Sequence, residues 1–307
     1  MKFAQLFFLP VLMVAGCQKA EEPEKTAPPA HPPGKLGLLG EGNRLLKRMQ
    51  ALEGRALGLT GGFDAVLGPR SSKIDLVVQN FLFLGSPPGL VGSSDFQMVS
   101  NHPAVAHAVP IAMADSYRRF RLVGTMRELF EVAEWAPGKK HALAEGRLFV
   151  ADRMEAVLGG RVARELGFKL EDRFKPQHGL AARDGEDAHE TEVVVVGILE
   201  ETQTPFDVAI WVPLAAVQNM DGHAAKASGD MNAVYLKWKQ PPNPVIVGRL
   251  VDYINAPEGN LTIAWPAAGL LQVGVREKVG MLGGVEFWVR EVESRGVSGD
   301  QNSSSKE

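Results

Sequence analysis

The stretch VVVVGILEETQTPFDVAIWVPLAAV, residues 193–217, decides the reading of this chain. Its first half, VVVVGILEE, is the clearest strand pattern in the chain. TQTPFD, residues 202–207, is turn-rich and has Pro205 to fix one φ. VAIWVP then reads as a second strand, passing directly into a helix at LAAVQNM, residues 214–220.

Working outward, strand and helix patterns alternate. MNAVYLKWK (231–239) and LTIAWP (261–266) read as strands. Between them NPVIVGRLVDYINA (243–256) reads as an amphipathic helix entered through Pro244. Upstream, RLFV (147–150) and MEAVLG (154–159) read as strands, and GRVARELG (160–167) as a short helix closed by Gly167. VAHAVPIAMA (105–114) and RRFRLVGTM (118–126) read as strands separated by a turn at Asp115–Ser116. SSDFQMVSNH (93–102) reads as a helix capped by Ser93 or Ser94. FDAVLG (63–68) and IDLVVQNFLFLG (74–85) fit a strand, or a strand running into a short helix; periodicity alone does not choose. NRLLKRMQALEGRAL (43–57) places Leu45, Met49, Leu52 and Ala56 on one helical face, with Asn43 as cap and Gly58, Gly61 and Gly62 as the stop. AAGLLQVGVREKVGML (267–282) reads as a last helix. Strands and helices alternate throughout, which reads as a mixed α+β or α/β architecture.

The N-terminus is of a different kind. Met1-Lys2 precedes a short apolar run, residues 3–15, too short to span a bilayer comfortably. Val14-Ala15-Gly16 then leads into Cys17, the only cysteine in the chain. This pattern resembles a bacterial lipobox, in which small residues fit the cleavage pocket and the thiol is lipidated. The residues that follow, QKAEEPEKTAPPAHPPGK (18–35), carry five prolines and almost no apolar side chains. Such a segment cannot bury enough surface to order itself and reads as a tether. Residues 261–285 are broken by Pro266, Arg276, Glu277 and Lys278, so no later segment reads as a membrane span.

A net charge of −3 supplies no basic field for nucleic acid. A single cysteine excludes internal disulfides and cysteine-rich zinc clusters. No phosphate loop, dinucleotide fingerprint, GxSxG elbow or HExxH is present, so the chain reads as a non-enzyme with no cofactor. The loop at 178–190 carries His178, Asp184, Glu186, Asp187, His189 and Glu190. Imidazole with carboxylate suits zinc or a related divalent ion, which makes His178 and His189 candidate metal ligands; the irregular spacing fits no named site and favours a solvated acidic loop. In DSYRRFR, strand alternation puts Arg119 and Arg121 on one face and Phe120 on the other. Tyr117, Arg119 and Arg121 are therefore candidates for a basic docking edge.

Five segments, in order, resemble the extracytoplasmic domain of FtsX-type ABC transporter permeases, the MacB-like or LolC-like group. They are FDAVLGPRSSKIDLVVQNFLFLGSPPGL, HPAVAHAVPIAMADSYRRFRLVGT, EAVLGGRVARELGFKLEDRF, HGLAA and the opening stretch. The resemblance covers roughly residues 45–270. It implies a porter-like βαβ subdomain built from 58–124 and 230–290, with a smaller β-rich subdomain, 125–229, inserted. Together these make a periplasmic domain of 41–290, preceded by a signal peptide (1–16) and a tether (17–40) and followed by a tail (291–307). The family's membrane helices have no counterpart in this reading. The expectation is a lipid-anchored accessory or binding protein of an ABC transport system, facing the periplasm. Its expected partners are an ABC permease and ATPase or another periplasmic protein, met by protein contact. The alternative is a substrate- or metal-binding lipoprotein serving an ABC importer.

Overall fold

The computed structural model describes residues 57–179, 188–220 and 231–266. Cys17, the tether, most of the 43–57 helix, the 267–282 helix and the tail lie outside the described residues.

The strands between residues 193 and 217 behave as their composition demands. β11 (Val193–Leu199) and β12 (Ala209–Pro213) lie in an eight-stranded sheet. Trp211 and Val196 face one core while Ile210, Val212, Val193 and Val195 face another. Both faces are covered, so alternation has nothing to encode.

A four-stranded antiparallel sheet is built from the two ends of the described chain, with spatial order β14-β1-β13-β2. The strands are β1 (Ala65–Pro69), β2 (Val105–Ile111), β13 (Ala233–Trp238) and β14 (Leu261–Ala264). Period two sorts its residues: Ala65, Leu67, Val234 and Leu236 face one side, Val66, Ala233 and Tyr235 the other. On the first side lie α2 (Ser93–Ser100) and α6 (Pro244–Ile254), through Val99, Val247, Leu250 and Ile254. Helix α6 starts where expected, because the Asn243 side chain accepts from the N–H groups of Val245 and Ile246. The other side meets α1 (Lys73–Phe81), which settles the open reading of IDLVVQNF as helix, with Ser72 accepting from Asp75 N–H.

Most of the described residues between β2 and β13 fold around the second sheet, ordered β10-β3-β4-β12-β8-β11-β7, with β9 also on β11. Its strands are β3 (Asp115–Tyr117), β4 (Phe120–Thr125), β7 (Leu143–Gly146), β8 (Glu155–Leu158), β9 (Arg173–Phe174) and β10 (Gln177–His178), besides β11 and β12. The pairings are mixed: β12 runs parallel to β4 and antiparallel to β8, and β11 runs parallel to β8. A small hairpin, β5 (Glu134–Ala136) with β6 (Lys139–Lys140), stands apart from both sheets. One face of the second sheet carries α4 (Gly160–Leu166) and α5 (Leu214–Gln218). The other shares a core with the first sheet, to which α1 and α3 (Glu128–Val132) contribute. Within it Trp211 meets Phe83, Phe130 and Phe206, and the stacked pair Phe81–Tyr235 lies on the first sheet's side. Tyr235 donates to the Asn80 carbonyl. Trp211 is fully buried, so its truncation to alanine costs about 3–5 kcal/mol.

Several expectations are corrected. Asp115 and Ser116 are strand residues, and the turn falls at Arg118–Arg119. β4 belongs to the second sheet, and the chain passes from first-sheet to second-sheet strands at residues 112–114. RLFV is irregular, while the preceding LAEG pairs with β11 as β7. The α2 cap is Gly92, with no side-chain hydrogen bond from Ser93 or Ser94. Gly58 lies inside a helical turn that ends at Gly61 and Gly62, both at positive φ (61° and 71°).

Candidate functional site

Tyr117, Arg119, Arg121, His178 and His189 lie at or beside one edge of the eight-stranded sheet, where β10, β3 and β4 lie side by side. β3 and β4 form a two-residue hairpin with Tyr117 opposite Phe120. Arg118 takes the left-handed conformation at φ 53°, and its N–H donates to the Gln177 side chain at 3.1 Å. Tyr117 packs its ring against Phe168 and Phe174. On the other side of β3, Ser116 is registered with Gln177 and Asp115 with His178. The Ser116 hydroxyl donates to the Gly179 carbonyl at 2.7 Å, and Gly179 N–H donates to Ala114 at 3.1 Å. Ala188 bridges to Gln177, and His189 N–H donates to the Pro176 carbonyl at 2.8 Å.

This ladder brings three ligand-type side chains together. His189 Nε2 lies 3.0 Å from Asp115 Oδ1, and His178 Nδ1 lies 3.8 Å from the same oxygen. The imidazole centroids are 3.9 Å apart. One potential ligand atom from each residue falls within 4.8 Å of the others. Asp115 and His189 are fully buried, and the His178 side chain is 40% exposed, so the group opens to solvent on one side. Residues directly opposite in a ladder share a face, so the Asp115–His178 register alone puts those two side chains together.

Arg119 sits in the turn and not on a strand, so the expected alternation of Arg119 and Arg121 on one strand face is corrected. Arg119 pairs with Glu165 of α4, and its guanidinium lies over the Phe120 ring at 5.1 Å. Arg121 donates from Nη2 to the Gly85 carbonyl at 2.6 Å, and burial lowers its pKa from the usual value. Both arginines thus hold the sheet edge to neighbouring segments, Arg119 to α4 and Arg121 to the loop before SPPGL. Asp184, Glu186 and Asp187 lie outside the described residues. Glu190 pairs with Lys175 at 3.0 Å. Asp115 was missed as a candidate; the signal that could have found it is the reach of β10 back to β3, which no local pattern carries.

A second polar site is the TQTPFD loop, which joins β11 to β12. Its Asp207 carboxylate accepts from Thr202 N–H at 3.0 and 3.1 Å, from the Thr202 hydroxyl at 3.2 Å and from Thr204 N–H at 3.3 Å. Thr204 and Asp207 close a capping box on a short 3-10 turn, Pro205–Val208. Burial pushes the Asp207 carboxyl up, against these donors, which pull it down. Gly159 and Gly160 open α4 directly against this region. A Cβ on Gly159 would lie 2.4 Å from the carbonyl oxygens of Phe206 and Asp207. The loop therefore has a role in shape, fixed by close backbone packing.

Among the described residues no helix is long and apolar enough to cross a membrane. No family model and no curated protein matches the sequence. Among solved structures the chain is similar to the periplasmic region of MacB from Actinobacillus actinomycetemcomitans. The TM-score is 0.45 at 12% identity, covering 70% of this chain and 93% of that one. It is also similar to the extracellular domain of the noncanonic ABC-type transporter YknZ from Gram-positive bacteria. There the TM-score is 0.40 at 15% identity, covering 65% of this chain and 98% of that one.

Proposed function

We propose that this chain is an extracytoplasmic module of an ABC transport system, held at the bacterial envelope through lipid on Cys17 and facing the periplasm. It works by protein contact and not by catalysis. The observation that carries the reading is where the five family-like segments fall. Their described parts are β1–α1 with its following loop, β2–β3–β4, β8–α4–β9, His178–Gly179, and β11–β12, which contribute strands to both sheets. A sequence whose likeness lies in frame-building segments keeps the architecture and varies the surface that meets partners. The lipid anchor rests on Ala15-Gly16-Cys17 and on the proline-rich tether behind it.

Two measurements test this. Radiolabelled palmitate enters the wild-type protein but not Cys17→Ala. In-cell crosslinking followed by purification from membranes recovers an ABC permease or its ATPase with the wild-type chain. Labelling that persists in Cys17→Ala removes the anchor, and crosslinks that never contain an ABC subunit remove the transport role.

A further inference from the structure

We propose that Asp115, His178 and His189 form a binding site for one divalent cation of the zinc class. The donor set is two imidazole nitrogens and one carboxylate oxygen, the N/O combination that suits zinc and its neighbours. Zinc bonds to these atoms of about 2.0–2.2 Å place tetrahedral ligand atoms roughly 3.3–3.5 Å apart. Two of the three separations here, 3.0 Å from Asp115 Oδ1 to His189 Nε2 and 3.8 Å to His178 Nδ1, bracket that value, and all three ligand atoms lie within 4.8 Å of one another.

Backbone fixes the group. The Asp115–His178 register, the Gly179–Ala114 hydrogen bond and the His189–Pro176 hydrogen bond set all three Cα positions without help from the side chains. Buried Asp115 and His189 form a rigid floor, and half-exposed His178 leaves a path for the ion and a position for water. The imidazole ring centres lie 3.9 Å apart, close enough for both to reach one ion. Such an ion ties β3 to residues 63 and 74 positions further along the chain.

This inference stands on geometry within one sheet edge and does not depend on the ABC reading. Its test uses the full chain without a histidine tag, stripped with chelator and titrated with Co²⁺ and then Zn²⁺. One equivalent of Co²⁺ is expected, with a visible d–d spectrum lost on adding Zn²⁺. Zn²⁺ also raises the unfolding temperature, because it binds the native state alone. His178→Ala is the decisive variant, since a half-exposed side chain can be removed without emptying the core. It is expected to weaken binding at least tenfold and abolish the thermal shift, with circular dichroism and metal-free unfolding unchanged. Asp115→Asn removes the charge and gives the same loss. Absence of stoichiometric binding overturns the site, as does binding that His178→Ala leaves unaltered.

Discussion

Asp207 and Asp115 are both buried carboxylates in the same chain, and their surroundings differ. Asp207 collects its hydrogen bonds from Thr202 and Thr204, three to five residues away, mostly from backbone N–H groups. Asp115 faces side chains 63 and 74 residues distant, both of them imidazoles. Backbone donors cannot leave or titrate, so the first arrangement fixes a loop. Imidazoles beside a carboxylate can ligate a metal ion, so the second arrangement is a candidate site. The difference teaches that burial alone does not mark function; the chemistry and sequence distance of the partners do.

The comparison can be broken first through acid. His141 is buried and stacks on Phe206, the residue beside Asp207, at 4.0 Å and 10°. Burial holds its pKa down at about 4, against an ordinary 6.5. The unfolded chain takes a proton on this residue below pH 6.5, and the folded chain takes one only below about 4. Stability is therefore complete above pH 6.5 and falls between 6.5 and 4, by about 3 kcal/mol in all. Denaturant unfolding across this window should lose that part of its slope in His141→Phe.

Next, Asp207→Ala leaves several donors unsatisfied and should cost about 2 kcal/mol in urea unfolding, while Co²⁺ affinity stays unchanged. Asp207→Asn keeps an acceptor and should cost less than half as much. A drop in metal affinity with either variant would merge the two regions and undo the distinction.

Glu155 sharpens the comparison as an intermediate case. Arg147 grips both its oxygens at 2.7 and 2.8 Å from eight residues back, and Val150 N–H donates at 2.9 Å. Arg147 holds its pKa down at about 2. Its contribution is present above the unfolded carboxylate's pKa of 4.5 and is lost as pH falls through about 2. Because Arg147 is half-exposed, Glu155→Gln should cost only about 1–2 kcal/mol at pH 7. The gap from wild type should narrow in acid, measured by parallel unfolding curves.

The smallest effect belongs to Arg119→Ala, which breaks a partly exposed pair with Glu165 and should cost under about 1 kcal/mol. If the β3–β4 hairpin also meets a partner, crosslinking yield should fall more than stability does.

How much of this was legible follows a physical line. β11 and β12 announced themselves because strands buried on both faces must be apolar throughout. α4 and α6 were legible from Gly167 and from Asn243–Pro244, local devices that terminate or start a helix whatever surrounds it. β7 was not legible: LAEG has no strand pattern, and it is a strand because it offers backbone hydrogen bonds to β11 at a sheet edge. β3 has three residues, too few for any period to show. His178 and His189 were visible as residue types near each other in sequence, but Asp115 was not.

By itself the sequence determined a mixed helix-and-strand architecture, most of the strands and helices, and the lipobox-like signal at Cys17, because these depend on composition and near-neighbour spacing. Only the tertiary structure decided which sheet each strand joins, where the first sheet gives way to the second, and that Asp115 lies against two histidines. Those facts depend on strand register between segments more than 60 residues apart. Register is chosen by the fit of whole sheet faces in a shared core, and no short stretch of sequence contains that information.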